Sequence, residues 1–136
     1  CLGMQMILDK SEEFGIYDGL GFISGSVIPI PRTSKDGYPH KIPHIGWNNL
    51  EPCYKESDWQ GTVLEKVKPG ESVYFVHSFY AKPTKDEHVL AQCDYNGRSL
   101  SAVVFFENIY GCQFHPEKSG PVGLRILDSF CNSSMI

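Results

Sequence analysis

The sequence predicts an α/β fold, a mixed sheet with flanking helices, in one domain spanning residues 1–136. Three observations lead there. Residues 72–80, Ser-Val-Tyr-Phe-Val-His-Ser-Phe-Tyr, form a continuous apolar run suited to a strand buried on both faces. Residues 88–95 and 99–106 are two β-rich segments flanking Asn96-Gly97, a strong short-range hairpin signal. Beyond Gly120, Pro121 stands at a favourable first helical position, and Val122, Ile126 and Phe130, with Leu127 and Cys131, make one apolar helical stripe expected to face the sheet. A chain of 136 residues, 41% hydrophobic and 21% charged, is large enough to bury a single core.

The remaining elements follow in chain order. Residues 1–14 have helical character, with Met6 and Ile7 apolar and Asp9 to Glu13 polar, and the expected helix ends before Gly15. Cys1 would then stand at a helix N-terminus, where the dipole and free N–H groups favour a thiolate. Residues 15–25 carry Gly15, Gly19, Gly21 and Gly25 without the spacing of a dinucleotide fingerprint, so they are expected to be a connection with tight turns. Residues 26–31, Ser-Val-Ile-Pro-Ile-Pro, are expected to be a short strand whose prolines make it an edge strand or the end of one, because proline cannot donate to a ladder. Residues 32–42 are an exposed loop, and 42–49 a strand running into a site or interface. Val63 to Val67 suggest a short helical turn, and residues 108–114 a last strand.

Composition narrows the functional classes. The net charge of −4, from 12 basic and 16 acidic residues, offers no reason to expect nucleic acid or an anionic membrane as partner. No apolar run is long enough to span a bilayer. The five cysteines are odd in number and irregularly spaced with no C-x-x-C, which points to a reducing, cytoplasmic setting over a disulfide framework. His40 and His44 have the H-x3-H spacing of a zinc site, but Pro43 opposes the aligning helix and no paired cysteines complete a set, so no metal and no cofactor are expected.

The chemistry concentrates at the two ends. Pro116 pushes His115 towards extended geometry, in which His115 and Glu117 share a face, so the carboxylate can orient an imidazole base. Cys1 is a candidate nucleophile for that base.

Cys1-Leu2-Gly3-Met4-Gln5 resembles the nucleophile segment of class I, triad-type glutamine amidotransferases, and Gln113-Phe114-His115-Pro116-Glu117 resembles their His/Glu segment. Pro43-His44-Ile45-Gly46-Trp47-Asn48, Phe75-Val76-His77-Ser78 and His115 to Gly120 are similar to the glutaminase subunits of imidazole glycerol phosphate synthases. The resemblance implies the C-terminal part of a flavodoxin-like amidotransferase domain. It implies that Cys1, His115 and Glu117 are nucleophile, base and orienter, that Gln5, Glu13, His77 and Ser78 hold substrate glutamine, and that the Leu2 N–H is an oxyanion donor. It further implies that ammonia passes to a (βα)8-barrel cyclase subunit in histidine biosynthesis.

The family's N-terminal portion, with the strand leading into the nucleophile and a glycine-rich oxyanion loop, has no counterpart in these residues. The 136 residues alone are therefore expected to be inactive or weakly active, and a homodimer could cover the exposed sheet edge. Three alternatives stay open at this stage: an ammonia supplier for amidating surface-polysaccharide sugars, an enzyme whose N-terminal Cys uses its own amine as base, and a non-catalytic binding module.

Overall fold

Asn96 and Gly97 both adopt positive φ, 53° and 82°, which is what a two-residue hairpin turn with right-handed strand twist demands. They join strands that the sequence places within a residue of their observed limits. In the computed structural model, which describes residues 1–55 and 58–132, the chain runs as follows. Helix α1 (Leu2–Met6) leads into β1 (Leu8–Ser11), β2 (Tyr17–Asp18), β3 (Ile23–Pro29), β4 (His44–Asn49), β5 (Glu51–Pro52), β6 (Ser72–His77) and β7 (Phe79–Pro83). The hairpin β8 (Val89–Tyr95) and β9 (Arg98–Phe106) follows, then β10 (Ile109–Cys112) and helix α2 (Gly120–Asn132). Single 3-10 turns occupy Asp86–His88 and Pro116–Lys118.

The strands form three sheets, ordered β2-β1-β3-β7, β10-β9-β8-β5 and β4-β6. β1 and β3 are parallel and the other pairings antiparallel, so the architecture is mixed α/β. One core, including Leu50, Trp59, Phe75, Leu100, Val103, Phe114 and Ile126, joins the second and third sheets to α2. A smaller one, with Met4, Leu8, Ile23, Val27, Ala81 and Val104, joins α1 and the first sheet to β9 of the second.

The helix expected to end just before Gly15 is formed only over Leu2–Met6. Helix α1 stops at Met6 because the carbonyls that would continue it are taken by the glycine-rich segment. Leu20 N–H donates to Met6 O at 2.7 Å, Ile23 to Ile7 O at 3.0 Å, Gly21 to Leu8 O at 3.1 Å and Gly19 to Asp9 O at 2.7 Å. A Cβ at Gly19 would sit 2.0 Å from Leu8 O, so only glycine permits this approach. Leu8 is then fully buried and pairs with Ile23.

Of the two readings of the prolines in residues 26–31, the end of a strand holds and the edge strand does not. β3 lies between β1 and β7, and its prolines are harmless because Pro29 is the last paired residue and Pro31 lies beyond the ladder. The apolar run 72–80 is two strands, not one. It breaks at Ser78, whose carbonyl accepts from Ile30 N–H at 2.9 Å, so β6 pairs β4 while β7 crosses to β3. In β6, Val73, Phe75 and His77 are buried whereas Val76 is exposed, so it is covered on one face only. Val63 to Val67 form successive i,i+3 turns instead of a helix, with Val63, Leu64 and Val67 buried.

Helix α2 spans the expected residues but is rotated about its axis. The residues buried along it are Gly123, Ile126 and Ser129, while Leu127, Phe130 and Cys131 of the expected stripe face outward. The cause is close approach. Gly123 lies against the Pro116 carbonyl, where a Cβ would come within 1.8 Å of the oxygen. Arg125 locks the rotation by donating to Glu71 Oε1 at 2.6 Å and to Lys66 O at 3.1 Å.

Candidate active site

Helix α1 lies across β10 and its continuation. Gly111 makes room for it: a Cβ there would meet Met4 Cγ at 2.6 Å and Ile7 Cδ1 at 2.9 Å. Two residues on, fully buried Gln113 accepts from the Cys1 main-chain nitrogen at 2.9 Å and donates to Phe79 O at 3.2 Å, with its amide turned so that each end is satisfied. The chain that carries the His/Glu motif thus grips the main chain of the candidate nucleophile directly. Cys1 is the N-cap of α1, and Leu2 is its first helical residue, so the Leu2 N–H has no intrahelical acceptor.

From Gln113 the chain passes over to β6. His115 N–H donates to Tyr74 O at 3.1 Å. The buried Ser119 hydroxyl accepts from Tyr74 N–H at 3.0 Å and donates to His115 O at 2.7 Å, so His115 is clamped from both sides. His115 is extended, at φ −100° and ψ 101°, as its position before proline requires. The chain then turns into the 3-10 segment, and that turn, more than a continued strand, brings Glu117 back to its partner. His115 Nδ1 lies 3.0 Å from Glu117 Oε1. The Glu117 carboxyl is held below its ordinary pKa, first by its own main-chain N–H and then by His115. A carboxylate on Nδ1 leaves Nε2 as the nitrogen available for proton transfer.

Cys1, Leu2, Gln5, Glu13, Val76, His77, Ser78 and Phe79 line one open cavity of about 280 Å³. It is continuous through Leu2, Gln5 and Glu13 with an apolar groove of about 340 Å³ walled by Phe14, Tyr17 and Leu20.

His77 of this lining is paired with a second buried histidine, His44. His77 Nδ1 meets Phe79 O at 2.9 Å, and His77 Nε2 meets His44 Nδ1 at 2.8 Å. Burial pushes the His77 pKa from 6.5 down to about 4, with His44 adding to the fall and Phe79 O opposing it. The unfolded chain therefore takes up this proton at higher pH than the folded one. Stability from His77 is complete above pH 6.5 and is lost as pH falls towards 4, by roughly 3 kcal/mol in total. Urea titrations should show a steeper loss of stability across this window for wild type than for His77→Asn. Parallel curves would contradict it.

The family model for "Glutamine amidotransferase class-I" matches residues 1–133. The chain belongs to the class-I glutamine amidotransferase family. It is 54% identical over 130 residues to imidazole glycerol phosphate synthase subunit HisH 1 of Legionella pneumophila (strain Lens), an alignment covering 96% of this chain and 61% of that one. The HisH subunit of Geobacillus thermodenitrificans is 46% identical over 130 residues, covering 96% and 58%. That of Archaeoglobus fulgidus is 46% identical over 132 residues, covering 97% and 61%. The chain thus spans about three-fifths of the length of the curated relatives it matches.

In this class-I amidotransferase chain, Cys1, Leu2, Gln5, Glu13, His77 and Ser78 come together in one cavity although they lie up to 77 positions apart. His115 and Glu117 form their pair outside that lining and are tied to Cys1 through Gln113. Sequence named Gln113 only within the His/Glu motif and His44 only within a longer motif and the H-x3-H spacing, and it gave Ser119 no separate role. Gln113 had a signal, a lone amide at a buried position between Cys112 and Phe114. The contacts of Ser119 with Tyr74 and of His44 with His77 had no local signal, because these partners are 45 and 33 positions away.

The H-x3-H histidines do not converge. His40 is engaged by Asn96 and Pro31 O, His44 by His77 and Asn48.

Proposed function

We propose that the complete protein is a glutaminase subunit of an imidazole glycerol phosphate synthase, and that these residues are the C-terminal part of a single amidotransferase domain. Cys1 attacks the side-chain amide of glutamine to give a γ-glutamyl thioester. His115 takes the thiol proton and returns it to the departing ammonia, while Glu117 keeps the imidazole oriented. Water then hydrolyses the thioester to glutamate. Gln5, Glu13 and the His77-Ser78 main chain hold the substrate, and the Leu2 N–H faces the developing oxyanion. The observation that carries this reading is the gathering of Cys1, Gln5, Glu13, His77 and Ser78 on one cavity, with the Cys1 main chain held by the strand bearing the His115–Glu117 pair.

The partner we propose is a (βα)8-barrel cyclase that receives the ammonia. Support comes from the open face of the β4-β6 pair. Ile45 stands opposite Val76 and Trp47 opposite Tyr74, and Trp47 is 59% exposed although its ring lies edge-on to Tyr74 at 6.0 Å. An exposed aromatic and aliphatic cluster of this kind suits a protein interface. The free thiols of all five cysteines support a cytoplasmic setting, and among the described residues no helix is long and apolar enough to cross a membrane.

A glutamine-mimicking chloroketone should alkylate the complete protein once, at Cys1. Cys53, Cys93 and Cys112 are poor competitors, because burial pushes their thiols up to about 11, 12 and 12. Peptide mass spectrometry that found the label on any of these three in place of Cys1 would end the proposal.

A further inference from the structure

The two buried histidines admit one arrangement of protons. Phe79 O can only accept, so His77 Nδ1 carries the hydrogen of that 2.9 Å bond. In the neutral ring, Nε2 is then an acceptor, and its partner at 2.8 Å, His44 Nδ1, must donate. His44 Nε2 is left as an acceptor, and Asn48 Nδ2 supplies a hydrogen at 3.3 Å. The second Asn48 amide hydrogen goes to Asp94 O at 2.7 Å, and Asn48 Oδ1 accepts from Asn49 N–H at 2.8 Å. Main-chain groups at both ends therefore fix the direction of the whole chain.

The His44 ring cannot turn away. It is stacked on Phe75 at 5.0 Å and lies against Tyr95 at 4.4 Å. At the far end the chain meets the site: Phe79 O accepts from His77 and also from Gln113, whose other end holds the Cys1 nitrogen.

We infer that His44 and His77 are positioning residues for the nucleophile. Their one-way run of donors, from Asn48 on the open β4 strand to Phe79 O, sets the carbonyl against which Gln113 orients the Cys1 main chain. The inference rests on Cys1 being the glutaminase nucleophile, and it adds to that reading a positioning role for two histidine rings.

The test uses the complete protein and two readouts. In ¹⁵N-edited NMR of the wild type at neutral pH, both rings should be Nδ1–H tautomers, the less common form in free histidine. In alkylation by the glutamine-mimicking chloroketone, His44→Phe, which keeps a stacking ring but removes the donor, should slow labelling of Cys1 about tenfold, as expected for a buried acceptor left unpaired. His44→Asn, which offers Nδ2 in place of Nδ1, should recover to within about threefold of wild type. Iodoacetamide labelling of exposed Cys131 should stay constant in all three proteins. An Nε2–H tautomer at either ring overturns the inference without recourse to any variant. So does wild-type labelling of Cys1 in His44→Phe, which would leave the glutaminase reading standing. Failure of the chloroketone to label wild-type Cys1 overturns both.

Discussion

Gly123→Ala should cost roughly 3 kcal/mol or more and lower the melting temperature by about 10 °C. The new Cβ would lie 1.8 Å from the Pro116 carbonyl oxygen, and the next atom met is the Pro116 carbonyl carbon at 2.7 Å. Carbon and carbonyl oxygen sit comfortably only at about 3.3 Å, so one backbone must move by more than 1 Å. Neither can do so cheaply. Helix α2 is tied to Lys66 and Glu71 through Arg125, and the Pro116 turn is tied to Tyr74 through His115 and Ser119. The turn carries Glu117, so the same substitution should loosen the 3.0 Å contact to His115. Gly3→Ala is the control, since a Cβ there meets nothing within 4 Å and alanine favours the helix. Equal melting temperatures for Gly123→Ala and wild type would show that α2 is not seated on this carbonyl.

His115→Ala in the complete protein should reduce glutaminase turnover by about a thousandfold, the usual range for loss of a general base, with little change in KM. Glu117→Ala should lose less, on the order of tenfold to a hundredfold. Its carboxylate is 61% exposed and acts by orienting the ring, and the Tyr74–His115–Ser119 clamp still holds the main chain when it is gone. The double variant should be no worse than His115→Ala, because an orienter has nothing left to orient. Turnover surviving in His115→Ala would mean that a group other than His115 serves as the base. A Glu117→Ala defect as deep as that of His115→Ala would mean that the carboxylate does more than orient.

What was readable in the chain depended on how far apart the interacting residues lie. The Asn96-Gly97 hairpin depends on two adjacent φ angles and neighbouring strands, and it was read correctly. The extent of α2 depends on Pro121 and a run of thirteen residues, and it too was legible. Its orientation was not: Phe130 and Leu127 look like core by periodicity, but the close approach of Gly123 to Pro116 turns smaller residues inward. The first fourteen residues read as helix by local pattern, and carbonyls captured by Gly19, Leu20, Gly21 and Ile23 make β1 of the second half. The run 72–80 is continuous in its apolar residues on both sides of the His77-Ser78 pair, so it read as one strand and the change of sheet at Ser78 was missed.

The candidate site divides in the same way. His115 and Glu117 are two positions apart, so their pairing needs only a short turn and could be seen in the sequence, although a 3-10 segment achieves it where extended chain was expected. The motif residues Cys1, Gln5, Glu13, His77 and Ser78 could be named from their chemistry and their resemblance to a family. That they share a cavity is a fact of three dimensions. Gln113, Ser119, His44 and Asn48 act only through partners that folding delivers, and a lone polar side chain does not announce whom it will meet. Sequence by itself determined which side chains have the chemistry. The tertiary structure decided how they are held, because hydrogen bonds and close backbone contacts exist only once distant segments have packed.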